Sequence, residues 1–158
     1  MEQTVLSSPL GPLTLFAEGG RLAALVFGDY GGYDDTPLFR ETRRQLEEYF
    51  AGVRRRFFLP LAPAGTEFQL QIWRALEEIP YGTAVSYQEL ARRVGRPRSA
   101  RAAGQAVGRN PLPVLLPCHR VIASGGGLGG YSGGLEKKRL LLTLEGVPFR
   151  EPPGPAAR

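Results

Sequence analysis

Ser86-Tyr87-Gln88-Glu89-Leu90-Ala91-Arg92-Arg93-Val94-Gly95-Arg96-Pro97-Arg98-Ser99-Ala100-Arg101-Ala102-Ala103-Gly104-Gln105-Ala106-Val107 holds the two helices around which the chain is arranged. Ser86 and Glu89 have capping-box spacing, so a helix is expected from Tyr87 to Val94, stopped at Gly95. Arg96-Pro97-Arg98 turns the chain, and Ser99 is placed to cap a second helix ending near Arg109. Helix, glycine-containing turn and helix make a helix-turn-helix pattern. The second helix is dominated by Ala100, Ala102, Ala103, Gly104 and Ala106. Small side chains let a helix approach closely, either to its own domain or to an outside surface. They are poor readers of base edges, which argues against a sequence-specific regulator.

The surroundings of this helix pair are basic. The formal net charge is +5, but residues 1–65 carry seven arginines against eight acids, and residues 66–158 carry thirteen Lys/Arg against seven acids. Between Leu90 and Leu135 stand Arg92, Arg93, Arg96, Arg98, Arg101, Arg109 and Arg120, with no acid among them. A field of one sign is the electrostatic footprint expected for phosphate binding. Arginine outnumbers lysine eighteen to two, which accounts for the choice of arginine but not for the missing acids.

Directly downstream, Asn110-Pro111-Leu112-Pro113-Val114-Leu115-Leu116-Pro117-Cys118-His119-Arg120-Val121 holds the only cysteine and the only histidine, side by side. A thiolate is a strong nucleophile, and a nearby imidazole is the usual means of generating it. Val114 to Leu116 reads as a short buried strand bracketed by Pro113 and Pro117. Adjacent side chains of a strand face opposite ways. Cys118 and His119 can therefore cooperate only if the chain turns at Pro117 or a water bridges them. Taken alone, the dipeptide reads as a structural cysteine beside a surface histidine; the residues around it reverse that. A cysteine hydrolase would need a turnover-competent histidine close to Cys118, and there is no second histidine. Ser124 to Gly134 is glycine-rich, suited to tight turns and close backbone approach to a ligand, and lacks the Lys-Ser/Thr ending of a phosphate loop. Glu136 to Glu145 reads as a final helix with Leu140, Leu141 and Leu144 inward and Gly146 after it. An acid in a last turn opposes the helix dipole, so Glu145 stands out; at a helix end it is expected to be removable without loss of the fold.

Upstream, Thr66-Glu67-Phe68-Gln69 is another capping-box pattern, and Phe68, Ile72, Leu76 and Ile79 give its helix a core face, with Trp73 beside them. Leu61 to Gly65 reads as a linker. Residues 3–28 read as an antiparallel meander, with a hairpin at Gly19-Gly20. Thr36 and Pro37 start a helix lined by Leu38, Phe39, Thr42, Leu46, Tyr49 and Phe50 and ended by Gly52. Phe57-Phe58-Leu59 reads as one more strand, and Arg54-Arg55-Arg56 as a solvated charge run. No catalytic constellation is visible in this half. The expected organisation is α+β: a support domain over 1–62, a DNA-binding domain over 66–150 and a disordered tail over 151–158. No apolar run is long enough to span a bilayer, and no signal-peptide pattern opens the chain. A single free thiol points to the reducing cytoplasm. One cysteine and one histidine make an all-protein zinc site implausible, and no metal or cofactor is expected.

Pro117-Cys118-His119-Arg120-Val121, preceded by Asn110-Pro111 and followed by Gly130-Tyr131-Ser132-Gly133-Gly134, resembles the active-site segment of the O6-alkylguanine-DNA alkyltransferases, also called methylated-DNA–protein-cysteine methyltransferases. The resemblance is close from Phe68 to Gly146 and looser before. It implies a ribonuclease H-like N-terminal domain and a mostly helical, winged-helix-like C-terminal domain. It also implies a monomer that repairs DNA by binding the minor groove of the duplex, flipping the damaged nucleotide out, and moving the alkyl group from guanine O6 (or thymine O4) irreversibly to Cys118. By the same resemblance His119 deprotonates Cys118 through a water and Glu145 orients His119. Asn110 serves as a hinge, Tyr131 and the Ser132 N–H bond the substrate oxygen, Lys138 supports the leaving group, and Val121 belongs to the substrate-binding set. Arg101 fills the vacated place in the base stack. Tyr87 pushes the phosphate and later donates to the guanine ring nitrogen. Gln88 and Arg96 contact the DNA backbone, with Ala102 and Gly104 on the groove-facing side of the second helix. The family also has relatives that bind the lesion without accepting the alkyl group, typically with tryptophan in the cysteine's place; Cys118 argues against that reading.

Overall fold

The computed structural model describes residues 1–151. All but the first residue of the expected disordered tail lies outside the described residues; Glu151 itself is ion-paired with Arg139 at 2.9 Å.

The N-terminal meander forms as expected. Strands β1 (Glu2–Leu6), β2 (Leu13–Glu18) and β3 (Arg21–Phe27) make an antiparallel sheet in that order. Gly19 and Gly20 sit at φ +60° and +76°, the two consecutive left-handed residues that a tight hairpin turn demands. Helix α1 (Pro37–Phe50) is capped by Thr36, whose hydroxyl accepts from the Phe39 N–H. Its buried Phe39, Leu46 and Tyr49 share one core with Leu13, Leu15 and Leu25 of the sheet.

The strand expected over Phe57–Leu59 does not form. The buried Gln45 side chain supplies the ladder bonds instead, accepting from the Phe58 N–H at 2.9 Å and donating to the Phe58 carbonyl at 3.2 Å. A ladder contact comes slightly later, where Leu22 N donates to Pro60 O and Leu22 O accepts from Ala62 N. Phe58 is left 71% exposed, with the Arg56 guanidinium over its ring.

In the second half, α2 (Glu67–Glu77) carries the full reciprocal capping box of Thr66 and Gln69. Short strand β4 (Val85–Ser86) leads into α3 (Tyr87–Arg93), and α4 (Ala100–Gly108) follows across the glycine turn. Strand β5 (Val121–Ile122) pairs in parallel with β4, and α5 (Leu135–Leu144) closes the fold. The Trp73 indole N–H donates to the Ala106 carbonyl at 2.8 Å, locking α2 to α4.

Three local expectations change. Ser86 caps α3, but the Glu89 side chain turns outward to Arg92 and Arg93, because two guanidiniums outbid one backbone N–H. Ser99 stands at the start of α4 without a side-chain cap bond. Leu140 is exposed, because Lys138, Leu141 and Leu142 occupy the inward stripe of α5. Among the described residues no helix is long and apolar enough to cross a membrane.

Candidate active site

The segment read as a strand before Cys118 is a tight loop. Residues 111–117 form bends and turns, and Val114 sits at φ +73°, a left-handed conformation costly for a β-branched residue. Pro111, Pro113 and Pro117 cannot donate into a ladder. Asn110 supplies partners from its side chain: Nδ2 donates to Leu116 O at 2.8 Å and Oδ1 accepts from Leu112 N at 2.9 Å. Burial of Leu112, Val114, Leu115 and Leu116 is nearly complete, so the apolar run is a core segment of the wrong geometry for a strand. The N-terminal sheet braces the loop from behind through a 2.9 Å bond from Leu25 N to Pro111 O.

The chain turns at Pro117 into a single 3-10 turn, Cys118–Arg120. Successive side chains of such a turn project about 120° apart. Cys118 thereby enters a cavity of about 260 Å³ lined also by Tyr87, Gly104, Val107, Gly108, Gly130, Tyr131 and Ser132. Helix α4 forms one wall and the glycine loop the other. A Cβ on Gly129, at φ +69°, would lie 2.7 Å from the Tyr87 hydroxyl, so both backbone and space demand glycine there. The buried Tyr131 hydroxyl has no ordinary hydrogen-bond partner among the described residues; it lies beside the Cys118 thiol. The Phe27 ring of β3 packs against Tyr131, centroids 6.0 Å apart.

Burial pushes the Cys118 thiol up to about 11, only partly offset by Asn110 and the Lys138 charge. At neutral pH the thiol is protonated, and it needs a base. Behind it, His119 is fully buried, with Nε2 2.7 Å from Glu145 Oε2. Burial acts to raise the Glu145 carboxyl, but bonds from His119 and Arg120 outweigh it and hold the group at about 2. An ionised carboxylate only accepts, so Nε2 carries the hydrogen and donates. His119 Nδ1 keeps its lone pair, buried and without a partner among the described residues. Burial also lowers the His119 pKa, so the ring is neutral at neutral pH. A neutral ring with a free lone pair is chemically able to accept a proton.

Glu145 is not an isolated acid at a helix end. It is 5% exposed and accepts from Arg120 Nε at 2.8 Å, Arg120 Nη2 at 3.0 Å, Tyr49 Oη at 2.6 Å and Gly82 N at 3.3 Å. The expectation that it can be removed freely is overturned by this burial. Arg120 likewise leaves the phosphate-facing field: it is 7% exposed and committed to Glu145 and the Ile79 carbonyl. Val121 and Lys138 do not line the cavity. Lys138 Nζ donates to Val121 O at 2.6 Å and Gly130 O at 3.0 Å, pinning the loop from behind, and burial lowers it to about 8.

On the outer face, Gln88, Arg96, Arg101 and Ala102 are exposed, while Gly104 turns partly into the cavity wall. Arg92 and Arg93 are paired with Glu89. Arg96, Arg98, Arg101 and Arg109 are exposed and make no ion pair among the described residues. Sequence reasoning missed Tyr49, Arg120 and Phe27 as members of the site. Arg120 carries no local signal, since its partner Glu145 lies 25 residues away; Tyr49 and Phe27 carry no signal beyond core periodicity.

Comparison with known proteins agrees with this geometry. Residues 67–147 match the 6-O-methylguanine DNA methyltransferase DNA-binding domain, and residues 1–63 match the ribonuclease-like domain of the same proteins. A methylated-DNA–protein-cysteine methyltransferase of Methanosarcina acetivorans is 44% identical over 154 residues, covering 92% of this chain and 99% of its own. The constitutive Bacillus subtilis protein of that name is 42% identical, covering 94% and 97%. A crystal structure of the Mycobacterium tuberculosis protein in complex with DNA superposes with a TM-score of 0.85 at 42% identity, covering 92% of this chain and 93% of that one. With both halves matched in order, the thiol in the cavity wall and the imidazole–carboxylate pair buried next to it in the chain, the chain belongs to the methylated-DNA–protein-cysteine methyltransferase family.

Proposed function

We propose that this chain repairs duplex DNA by moving the alkyl group of an O6-alkylated guanine to Cys118, once per molecule. The observation that carries the proposal is the sole thiol in the wall of a base-sized cavity, backed by a neutral histidine whose Nε2–H is spent on Glu145 and whose Nδ1 is unpaired among the described residues.

The base is out of reach inside a duplex, and extruding it costs a few kcal/mol. Helix α4 approaches through the minor groove, Arg101 fills the emptied stack, and Gln88 and Arg96 hold the backbone. Tyr87 lines the cavity, close to Gly104 and Gly129. The Cys118 proton passes through a water to His119 Nδ1. Sulfur attacks the alkyl carbon; the S–C bond forms as the C–O6 bond breaks. The departing guanine takes hydrogen bonds at O6 from the Tyr131 hydroxyl and the Ser132 N–H and at the ring nitrogen from Tyr87, and the proton held by His119 returns to it. The product thioether has no route back to thiol, so the protein is consumed.

The free thiol suits a reducing compartment, and the protein acts as a monomer in the cytoplasm, on DNA. Residues 1–62 support and residues 66–150 bind and react. The test is a titration of limiting protein with excess duplex containing O6-methylguanine. Restored guanine should plateau at one per protein molecule. Continued turnover, or binding with no restoration, would overturn the proposal.

A further inference from the structure

Helix α1 belongs to the half of the chain without a catalytic pattern, yet its Tyr49 reaches the relay. The side chain is fully buried among Phe50, Phe57 and Tyr81, with the hydroxyl 2.6 Å from Glu145 Oε2. That oxygen is the same one His119 Nε2 bonds at 2.7 Å, and Arg120 Nη2 reaches it at 3.0 Å. Packing alone would be served by phenylalanine. The hydroxyl is a polar atom buried to meet one particular oxygen.

We propose that Tyr49 is a positioning residue of the alkyl-transfer relay, supplied by the N-terminal domain, which sets the basicity of His119 through Glu145. The inference rests on the proposed function for the identity of the reaction, but not for the effect on the imidazole. Three donors on one oxygen fix the plane of the carboxylate and aim its lone pair at Nε2. The Tyr49 bond also draws charge from Oε2, which weakens the stabilisation of a protonated His119. Burial and the Glu145 charge push the Tyr49 hydroxyl above its usual range, so it stays a donor at every working pH. The other groups facing the pair are Arg120 from the 3-10 turn, Lys138 from α5, and Tyr81 after α2 with Arg55 over its ring. None is altered when only the Tyr49 hydroxyl is removed.

The direction follows. Without that hydroxyl, Glu145 is a stronger partner for imidazolium, and the His119 pKa rises. The ring then leaves its neutral form at higher pH. A hydrogen bond of ordinary net strength corresponds to about half to one pH unit.

His119 is the only histidine in the chain, so its ring can be titrated directly by NMR in the full-length protein. The experiment compares the parent, Tyr49→Phe and Tyr81→Phe. Tyr81 is the control, because its hydroxyl donates to the Leu144 carbonyl rather than to the carboxylate. The His119 midpoint should rise by about half to one unit in Tyr49→Phe only. The acid limb of the single-turnover transfer rate should move the same way. An unchanged or lowered midpoint, or an equal rise in Tyr81→Phe, would overturn the inference. Absence of transfer in the parent would instead remove the proposed function, while the titration still decides the role of Tyr49.

Discussion

Replacing Glu145 with glutamine removes one charge from a buried cluster and leaves the Arg120 guanidinium without a counter-ion. Breaking a buried pair from one side costs about 3–5 kcal/mol. The carboxyl itself gives a second figure: moved from 4.5 in its ordinary state to about 2 in the fold, it contributes on the order of 3 kcal/mol. Because the folded value is depressed, that stabilisation is complete above pH 4.5 and drains away as pH falls towards 2. The glutamine amide keeps one acceptor but presents N–H groups to Tyr49, His119 and Arg120, all of them donors. For a chain of this length the melting temperature should fall by roughly 6–20 °C near neutral pH. The assay is thermal unfolding of parent and Glu145→Gln at pH 7 and again near pH 3. The gap between them should narrow at the lower pH, as the parent begins to lose what the variant lacks. Melting within a degree of the parent at pH 7 would mean the cluster is not a stabilising unit, and the relay geometry built on it would fail.

Other expectations concern the DNA face and the cavity. Arg101→Ala should slow transfer from duplex DNA on the order of 10- to 100-fold, since a plug worth one to three kcal/mol against the flipping cost is lost; transfer from the free alkylguanine base should stay near the parental rate, and equal losses on both substrates would contradict the finger role. Binding to undamaged duplex should be salt-sensitive, with a slope of log K against log salt of about −2.7 if Arg96, Arg98 and Arg109 each meet a phosphate. Arg109→Ala should lower that slope by about 0.9, and a flat response would turn the basic face towards something else. Gly129→Ala sets a Cβ 2.7 Å from the Tyr87 hydroxyl at positive φ, so it should cost roughly 1–3 kcal/mol in denaturant titration and slow transfer as Tyr87 is displaced.

Much of the fold was legible because its signals are local. Thr36, Thr66 and Ser86 each cap the helix expected of them, and Gly19-Gly20 turns the hairpin expected of it. The failures share a physical cause: apolar runs report burial, not conformation. Val114 to Leu116 is as buried as a central strand, but the prolines withhold donors and Asn110 replaces the ladder. Phe57 to Leu59 loses its ladder to Gln45 in the same way. At the site, the Cys118, His119 and Glu145 set could be named from resemblance, but its setting could not. Tyr49 falls on a helical core stripe where phenylalanine would look the same, and only the tertiary fold shows which oxygen its hydroxyl meets. Arg120 read as part of a basic field because charge counting along the chain is blind to an ion pair closed 25 residues away.

The measurement that bears most directly on the central claim is where the alkyl group ends up. Trypsin releases Asn110 to Arg120 as one peptide holding both Cys118 and His119, with no other cysteine or histidine in the chain to confuse it. After reaction with duplex carrying an isotope-labelled O6-methylguanine, fragmentation of that peptide should place one labelled methyl on Cys118, in an amount equal to the guanine restored, and Cys118→Ala should acquire none. A labelled methyl on His119 or elsewhere, or transfer persisting in Cys118→Ala, would contradict the assignment of the buried thiol as the acceptor.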